Sequence, residues 1–312
     1  MRISSNTFRD AGVAAMQQQN EKLLQVMQQV ASGRRILTPA DDPVGAVQAL
    51  SVTQSQSINA QHSTNVGAAR DSLTLEESVL GNITSLLQDV RTISVNAGNG
   101  VLTSSDRASL ATELGNKYQQ LLGLANTVDG SGQYLFSGYQ GGVRPFSESA
   151  PGTIAYGGDQ GQRLIQISAS DQIAVSDAGS DVFMRIPNGN GSLVAASTHQ
   201  DIFKTIDSLQ QLLRAPRDAT FSDQLSAAQI NLDNALENVS TVRTSAGTRL
   251  NELDSVQSAG DDRALQYSQT LSRLQDVDYA AAMTELSQQQ LTLQAAQKAY
   301  AQVAGLSLFS YL

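Results

Sequence analysis

Cysteine is absent from this chain, which removes disulfides, thiolate metal sites and cysteine nucleophiles together. Tryptophan is absent too, and aromatics make up only 5% against 40% hydrophobic residues. An Ala-, Leu-, Gln- and Ser-rich chain with so few rings suits long helices better than a compact enzyme core. Basic residues are outnumbered 20 to 29 by acidic ones, and the net charge is −9. No basic face is available to displace counterions from phosphates, so nucleic acid and anionic membrane surfaces are poor partners. No stretch approaches the ~18 apolar residues needed to cross a bilayer. Met1 to Asp10 carries no basic segment followed by an apolar run, so no secretory signal is expected there. The default is cytoplasm, unless export uses a route that reads no cleavable signal. The two histidines, His62 and His199, fall in separate regions, and no His-Glu-x-x-His, Gly-x-Ser-x-Gly, Walker-type or Gly-x-Gly-x-x-Gly pattern occurs. The expectation is a non-enzymatic chain without cofactor or metal.

What the chain does have is helical seams. Tyr279, Ala282, Leu286, Gln289, Leu293, Ala296, Tyr300 and Val303 repeat at alternating spacings of three and four, with one polar member, Gln289. That narrow stripe is the pattern of a coiled coil. Near the start, Val13, Met16, Asn20, Leu23, Met27 and Val30 repeat the spacing, with Asn20 as the polar member. Gln-rich runs flank both stripes, so each helix has one adhesive edge. The two ends of the chain are natural mates, although spacing alone leaves open whether the mate belongs to the same chain or to a neighbouring copy.

Taken in order, residues 1–8 are short and unpatterned and are expected to be disordered in isolation. A helix is expected from about Arg9 to Ser32, ended by Gly33. Thr38 to Pro43 is a rigid break, in which Asp42 caps the next helix and Pro43 opens it. The Asp41–Asp42 pair is read as one cap and one solvent-facing or Arg-paired carboxylate, not as a catalytic dyad. A long helix follows to about Asn96, with a wide apolar face from Leu73 to Ile93, and Ser105 or Asp106 caps another that runs to about Val128.

Beyond Gly130 the period shortens to two. Strands are expected at Tyr134–Phe136, Thr153–Tyr156, Arg163–Ile167, Ile173–Val175 and Val182–Ile186, separated by Gly- and Asn-rich turns. Asp159, within Gly157–Gly161, is read as turn chemistry rather than a cation loop. Tyr134, Phe136, Tyr139, Phe146 and Tyr156 are expected to build the lobe's own core, rather than an adhesive face. Helices resume from about His199 to Arg214 and from Ser222 to about Val256. The latter carries a seam of Leu225, Leu232, Leu236, Val239, Arg243, Ala246, Leu250 and Leu253, and Gly260-Asp261-Asp262 separates it from a final helix at Leu271–Leu308.

The expected fold is mainly α with a small inserted β domain. Its segments are 1–43, a terminal helix coiled with the C-terminus; 44–130, the first half of a helical rod; 131–192, the β domain; 193–258, the second half of the rod; and 259–312, the C-terminal helix. A nested antiparallel rod with the β lobe at its tip buries every stripe.

Ser32-Gly33-Arg34-Arg35 followed by Pro39-Ala40-Asp41-Asp42-Pro43 and Gly45 resembles the bacterial flagellin family. So do Tyr134-Leu135-Phe136-Ser137-Gly138, Pro145-Phe146, Tyr156 with Gly158-Asp159 and Gly161, and the closing Leu306 to Leu312. The Phe-Ser-Gly block and the ending are similar to the family's hook–filament junction members rather than to its filament subunits. The resemblance implies a structural subunit that polymerises as a ring through coiled-coil termini and leaves through the flagellar type III export channel without cleavage. It implies as partners further copies of the chain, a hook-side junction protein (hook-associated protein 1), flagellin, and an export chaperone on the C-terminal helix. The assembly seam would be Val13, Met16, Leu23, Met27 and Val30 on one side. On the other it would be Tyr279, Leu286, Leu293, Tyr300 and Val303, continued by Leu306, Leu308 and Phe309. Gly33, Arg34, Pro39, Asp41, Asp42 and Pro43 would form the signature loop. A minor flagellin and a surface adhesin are the alternatives.

Seams this narrow, each interrupted by an amide, bury little area and leave isolated helices marginal. Residues 1 to ~40 and ~265 to 312 should therefore gain most of their order on assembly. Amide hydrogen exchange on dilute monomer should show weak protection at both ends; strong protection without oligomer would overturn this.

Overall fold

The computed structural model describes residues 5–150, 152–187 and 199–305. Six α-helices account for most of them: α1 (Ser5–Ser32), α2 (Pro43–Ala97), α3 (Ser104–Ala125), α4 (Ile202–Arg214), α5 (Phe221–Gln275) and α6 (Tyr279–Gly305). Between α3 and α4 lie three two-stranded antiparallel sheets: β1 (Phe146–Ala150) with β2 (Thr153–Tyr156), β3 (Leu164–Gln166) with β4 (Gln172–Ala174), and β5 (Ile186–Pro187) with β6 (His199–Gln200). The chain is mainly helical with a small β insertion. It divides into two compact units, Gln61–Gly260 and Met1–Ala60 with Asp261–Leu312; α2 and α5 contribute residues to both.

Several boundaries differ from the sequence reading. Ser5–Phe8 belong to α1 rather than to an unstructured lead-in. α3 is capped by Thr103, not by Ser105 or Asp106: the Thr103 side chain accepts from the Asp106 N–H at 3.2 Å, and Asp106 Oδ2 accepts from the Thr103 N–H at 2.9 Å. That reciprocal pair satisfies two donors that the first helical turn would otherwise leave open. α4 starts at Ile202, where Asp201 Oδ1 accepts from the Lys204 N–H, and His199 lies in β6. α5 runs straight through Gly260 to Gln275, so the expected break at Gly260–Asp262 is not there. A single Gly costs a helix only about 1 kcal/mol relative to Ala, which 55 residues of helix absorb.

Two of the expected strands are absent. Tyr134 makes one isolated bridge to Val128, and Leu135 and Phe136 are both buried in irregular chain. Ser180–Met184 is a single wide helical turn, closed by the Arg185 N–H donating to the Ser180 carbonyl at 2.9 Å. Val182 and Phe183 are consecutive and both fully buried, which an alternating strand facing one core cannot achieve.

The core of the 61–260 unit is helical, with an aromatic knot. Leu80, Ile83, Leu87 and Val90 of α2 meet Leu114 and Leu121 of α3, Ile206 and Leu209 of α4, and Leu232 and Val239 of α5. Phe146 gathers Phe183 at 5.0 Å, Tyr156 at 5.2 Å and Phe203 at 5.4 Å between ring centroids. Phe136 and Phe146 are fully buried as expected of lobe core residues, whereas Tyr139 is exposed. A smaller cluster joins Val66 and Leu73 of α2, Ile173 of β4 and Leu253 of α5.

Beside that cluster lie two buried carboxylates, Glu76 and Asp177. Glu76 Oε1 accepts from the Asp177 N–H at 2.9 Å, while Asp177 takes two bonds from Arg249 at 3.0 and 3.1 Å and one from Gln162 at 2.8 Å. Glu76 Oε2 is buried with no hydrogen-bond partner among the described residues. Burial, then the negative charge of Asp177, pushes the Glu76 carboxyl up to about 8, against the pull of the Asp177 N–H, Arg249 and Arg163.

The pH dependence has a definite sign. Between the ordinary carboxylate value of 4.5 and about 8 the folded state keeps a proton that the unfolded chain has lost. Stability should therefore be greatest below that window and fall as pH rises through it, by at most about 1.4 kcal/mol per pH unit. Urea unfolding at pH 5 and pH 8 should show this loss in the wild-type chain. Glu76→Gln, which keeps the acceptor for Asp177 and has no proton to release, should flatten it; an unchanged slope would remove Glu76 as the cause.

Candidate assembly interface

Within the unit formed by Met1–Ala60 and Asp261–Leu312, α1 and α6 lie antiparallel. Near one end, Tyr300 packs 2.8 Å from where a Cβ on Gly12 would sit; near the other, the Tyr279 hydroxyl lies 2.9 Å from the equivalent point on Gly33. Between them, Gln19 Nε2 donates to Gln289 Oε1. The two chain ends thus pair within one molecule, a choice that spacing had left open.

Sequence and structure agree on one stripe and differ on the other. On α6, Ala282 is buried, and Leu286, Gln289, Leu293, Ala296 and Tyr300 are half-buried. Tyr279 starts that stripe but is 55% exposed and reaches Gly33 only through its hydroxyl. Among the described side chains of α1 the covered positions are Gly12, Met16, Gln19, Leu23, Val26, Gln29 and Val30, with Gly33 just beyond its end. Met16, Leu23 and Val30 stand in the seam as expected. Val13 and Met27 are instead exposed, at 40% and 47%, Asn20 is exposed as well, and Val26 is the one buried side chain among those described on α1.

The choice between the two stripes within this pair has a steric cause. Two stripes share positions 16, 23 and 30, one adding 13, 20 and 27 and the other 12, 19, 26 and 33. The first is more apolar, so hydrophobic spacing selects it. The second holds glycines where tyrosine rings approach and a glutamine opposite Gln289, so packing selects that one. Gly-to-Tyr complementarity was the available signal. The described side chains stop short of Val303, and Leu306, Leu308 and Phe309 lie outside the described residues.

The signature loop fastens this pair. Gly33 ends α1 at φ +70°, a left-handed conformation that suits glycine. Its carbonyl accepts from the Val277 N–H at 3.0 Å, the Arg35 N–H donates to the Gln275 carbonyl at 2.6 Å, and Arg34 bridges Asp276 in antiparallel fashion. Arg35 Nη2 also reaches the Leu274 carbonyl at 2.8 Å and Asp42 at 3.1 Å. Two helix ends are thereby zipped through backbone groups that neither helix could satisfy internally.

Both carboxylates of the loop are structural. Asp41 accepts from the N–H groups of Leu37 and Thr38 at 3.1 and 2.7 Å and from Gln25 at 2.9 Å; the Thr38 N–H foremost holds its carboxyl below the usual range. Asp42 caps α2 by accepting from the Gly45 N–H at 2.9 Å, and that bond, with Arg35, lowers it in turn. One residue is therefore both cap and Arg partner, and the other, which is exposed, also ties the loop together. Pro43 opens α2 and Pro39 sits in the turn between. Among the described residues no group of three or more His, Asp or Glu side chains is placed to hold a metal.

The outer faces of this unit are apolar in places. Leu24 and Met27 on α1, Met283 and Leu291 on α6, Val44, Val47 and Leu50 on α2, and Leu265 on α5 are all exposed. Val44, Val47 and Leu50, three apart, mark one helix edge. Exposed apolar edges of this kind are the chemistry of contacts between proteins.

Comparison with known proteins completes the assignment. The family model for the bacterial flagellin N-terminal helical region matches residues 3–141, and that for the C-terminal helical region matches residues 230–312. Flagellar hook-associated protein 3 of Escherichia coli (strain K12) is 36% identical over 99% of both chains, and that of Salmonella typhimurium is 33% identical over 99% of both. The crystal structure of hook-associated protein 3 from Legionella pneumophila superposes with a TM-score of 0.66 at 24% identity, covering 72% of this chain and 98% of that one. A putative flagellar hook-associated protein from Vibrio parahaemolyticus gives 0.67 at 22% identity, covering 76% and 100%. With family-specific helical regions at both ends and a full-length relative at 36% identity, the chain belongs to the bacterial flagellin family.

Proposed function

We propose that this chain is a structural subunit joining hook to filament in the bacterial flagellum, polymerising as a ring-like homo-oligomer through its terminal helices. One observation carries the reading: the likeness to hook-associated protein 3 runs the full length at 33–36% identity, whereas the flagellin of Listeria monocytogenes is 24% identical. Its neighbours would be hook-associated protein 1 on the hook side and flagellin on the other. Before export, a cytoplasmic chaperone would cover α6, whose exposed Met283 and Leu291 offer it an apolar edge. The site of action is outside the cell, reached through the type III channel without cleavage. The geometry supports a joining role rather than a catalytic one, because Asp41 and Asp42 are committed to holding the loop.

Removing the gene from a flagellated host tests the reading. Hooks should remain, filaments should be missing, and flagellin should appear in the medium; intact filaments would overturn it. Seeded assembly separates it from a filament subunit, since a junction protein covers a hook end and stops.

Two neighbouring side chains divide folding from assembly. Val26→Ala removes the buried member of the α1 seam and should destabilise the α1–α6 pair by about 2 kcal/mol. Met27→Ala, on the open face, should change monomer stability by less than about 0.5 kcal/mol. It should nonetheless lower incorporation at the hook tip if that face meets another subunit. Denaturant unfolding and incorporation into hook-tipped particles read the two effects; undiminished incorporation of Met27→Ala would remove that face from the interface.

A further inference from the structure

The turn between α2 and α3 holds an exposed Asn99–Gly100 pair whose surroundings are set up for a reaction. Asn99 Oδ1 accepts from the Val101 N–H at 3.1 Å, which polarises its side-chain carbonyl. The main-chain carbonyl of Asn99 accepts from Arg217 Nη1 at 3.3 Å and from the Leu102 N–H at 3.4 Å. The N–H of Gly100 has no acceptor among the described residues, and nothing lies within 4 Å of where its Cβ would be. Arg217 is held in place by stacking over the Phe221 ring at 4.7 Å.

We propose that Asn99 is a site of spontaneous covalent modification, losing its side-chain amide by intramolecular attack from the Gly100 nitrogen with water as the only co-reactant. The Gly100 N–H gives up its proton, and the nitrogen bonds to Asn99 Cγ, closing a five-membered imide. The Cγ–Nδ2 bond breaks and ammonia leaves with the proton. Water then opens the ring at one carbonyl or the other, yielding aspartate or isoaspartate, and no oxidation state changes.

Each contact assists a particular stage. When Gly100 N loses its proton, the charge spreads onto the Asn99 main-chain oxygen, where the Arg217 cation and the Leu102 N–H stabilise it. When the nitrogen attacks, charge develops on Oδ1, where the Val101 N–H already points. Donors placed in advance at developing charge are an effective electrostatic form of rate assistance. The missing Cβ at Gly100 leaves the nitrogen sterically open. The product is a carboxylate, to which the Val101 N–H would donate a charge-assisted bond in place of a neutral one. The isoaspartyl form also lengthens the main chain of the turn by one methylene.

The test ages the folded full-length chain at mildly alkaline pH in heavy-oxygen water and follows the Asn99 peptide by mass spectrometry. Peptide mapping separates it from Asn188–Gly189 and Asn190–Gly191. The Asn99 peptide should take up one heavy oxygen, several-fold faster in the folded chain than in the same chain held in guanidinium chloride. Arg217→Gln should slow conversion several-fold, Arg217→Lys should recover part of the rate, and Gly100→Ala should nearly stop it. All three should keep the wild-type unfolding profile, which separates loss of the charge from loss of the turn. A folded chain that converts no faster than the denatured one, or Arg217→Gln converting at the wild-type rate, overturns the proposal.

Discussion

The antiparallel seam between α1 and α6 is the contact on which the functional reading depends, and it is thin. Only Val26 and Ala282 are fully buried among its described side chains. At its middle, where a coiled coil would place an aliphatic pair, stand Gln19 and Gln289, bonded amide to amide. A polar layer sacrifices stability and fixes register, because any slip of the helices leaves two amides facing apolar neighbours. The tyrosine-on-glycine contacts near both ends add the same constraint sterically: Tyr300 needs Gly12, and Tyr279 reaches Gly33. This seam is specified more strongly than it is stabilised. Such a balance suits a helix pair that has further surfaces to cover, and Leu24, Met27, Met283 and Leu291 are left exposed around it.

The unit spanning Gln61–Gly260 follows the opposite logic. Its helices carry wide apolar faces, its rings interlock around Phe146, and the residues of its core clusters all fall within 61–260. Part of its polar interior is paired: Arg249 and Gln162 answer Asp177, whose N–H answers Glu76. Burial favours the protonated form of the Glu76 carboxyl, and its unanswered Oε2 offers an ionised oxygen no donor there.

Legibility in the sequence followed the range of the interaction. The cap of α2 by Asp42, the stop at Gly33 and the α6 stripe are local or strictly periodic, and the residues alone announce them. Thr103 caps α3 with an aspartate three residues on, a shorter acid than the usual box member, yet one that closes the same two bonds. The Val182–Ile186 run reads as a strand and forms a helical turn instead, because the adjacent apolar residues Val182-Phe183-Met184 carry no alternation that separates the two. The α1 stripe slipped by one position for a tertiary reason: its true edge is written partly in glycine and glutamine, which hydrophobic spacing discounts.

The break between α5 and α6 shows most sharply why local signals misled. Gly260 looks like an interruption and is none, while Asp276-Val277-Asp278 holds no glycine or proline and ends a 55-residue helix. What stops α5 is the other end of the chain. Gly33 and Arg35 take up the Val277 N–H and the Gln275 carbonyl, and Arg35 claims the Leu274 carbonyl as well. Only Asp278, accepting from the Ala280 and Ala281 N–H groups at 2.9 and 3.1 Å, records the restart locally. The loop after α1 therefore does more than turn the chain. By supplying partners at the last turn of α5, it sets where α6 begins, and so it fixes which face of α6 meets α1. A register decided by backbone hydrogen bonds at one end needs only sparse side-chain burial along its length, which accounts for a seam that is specific while it stays thin.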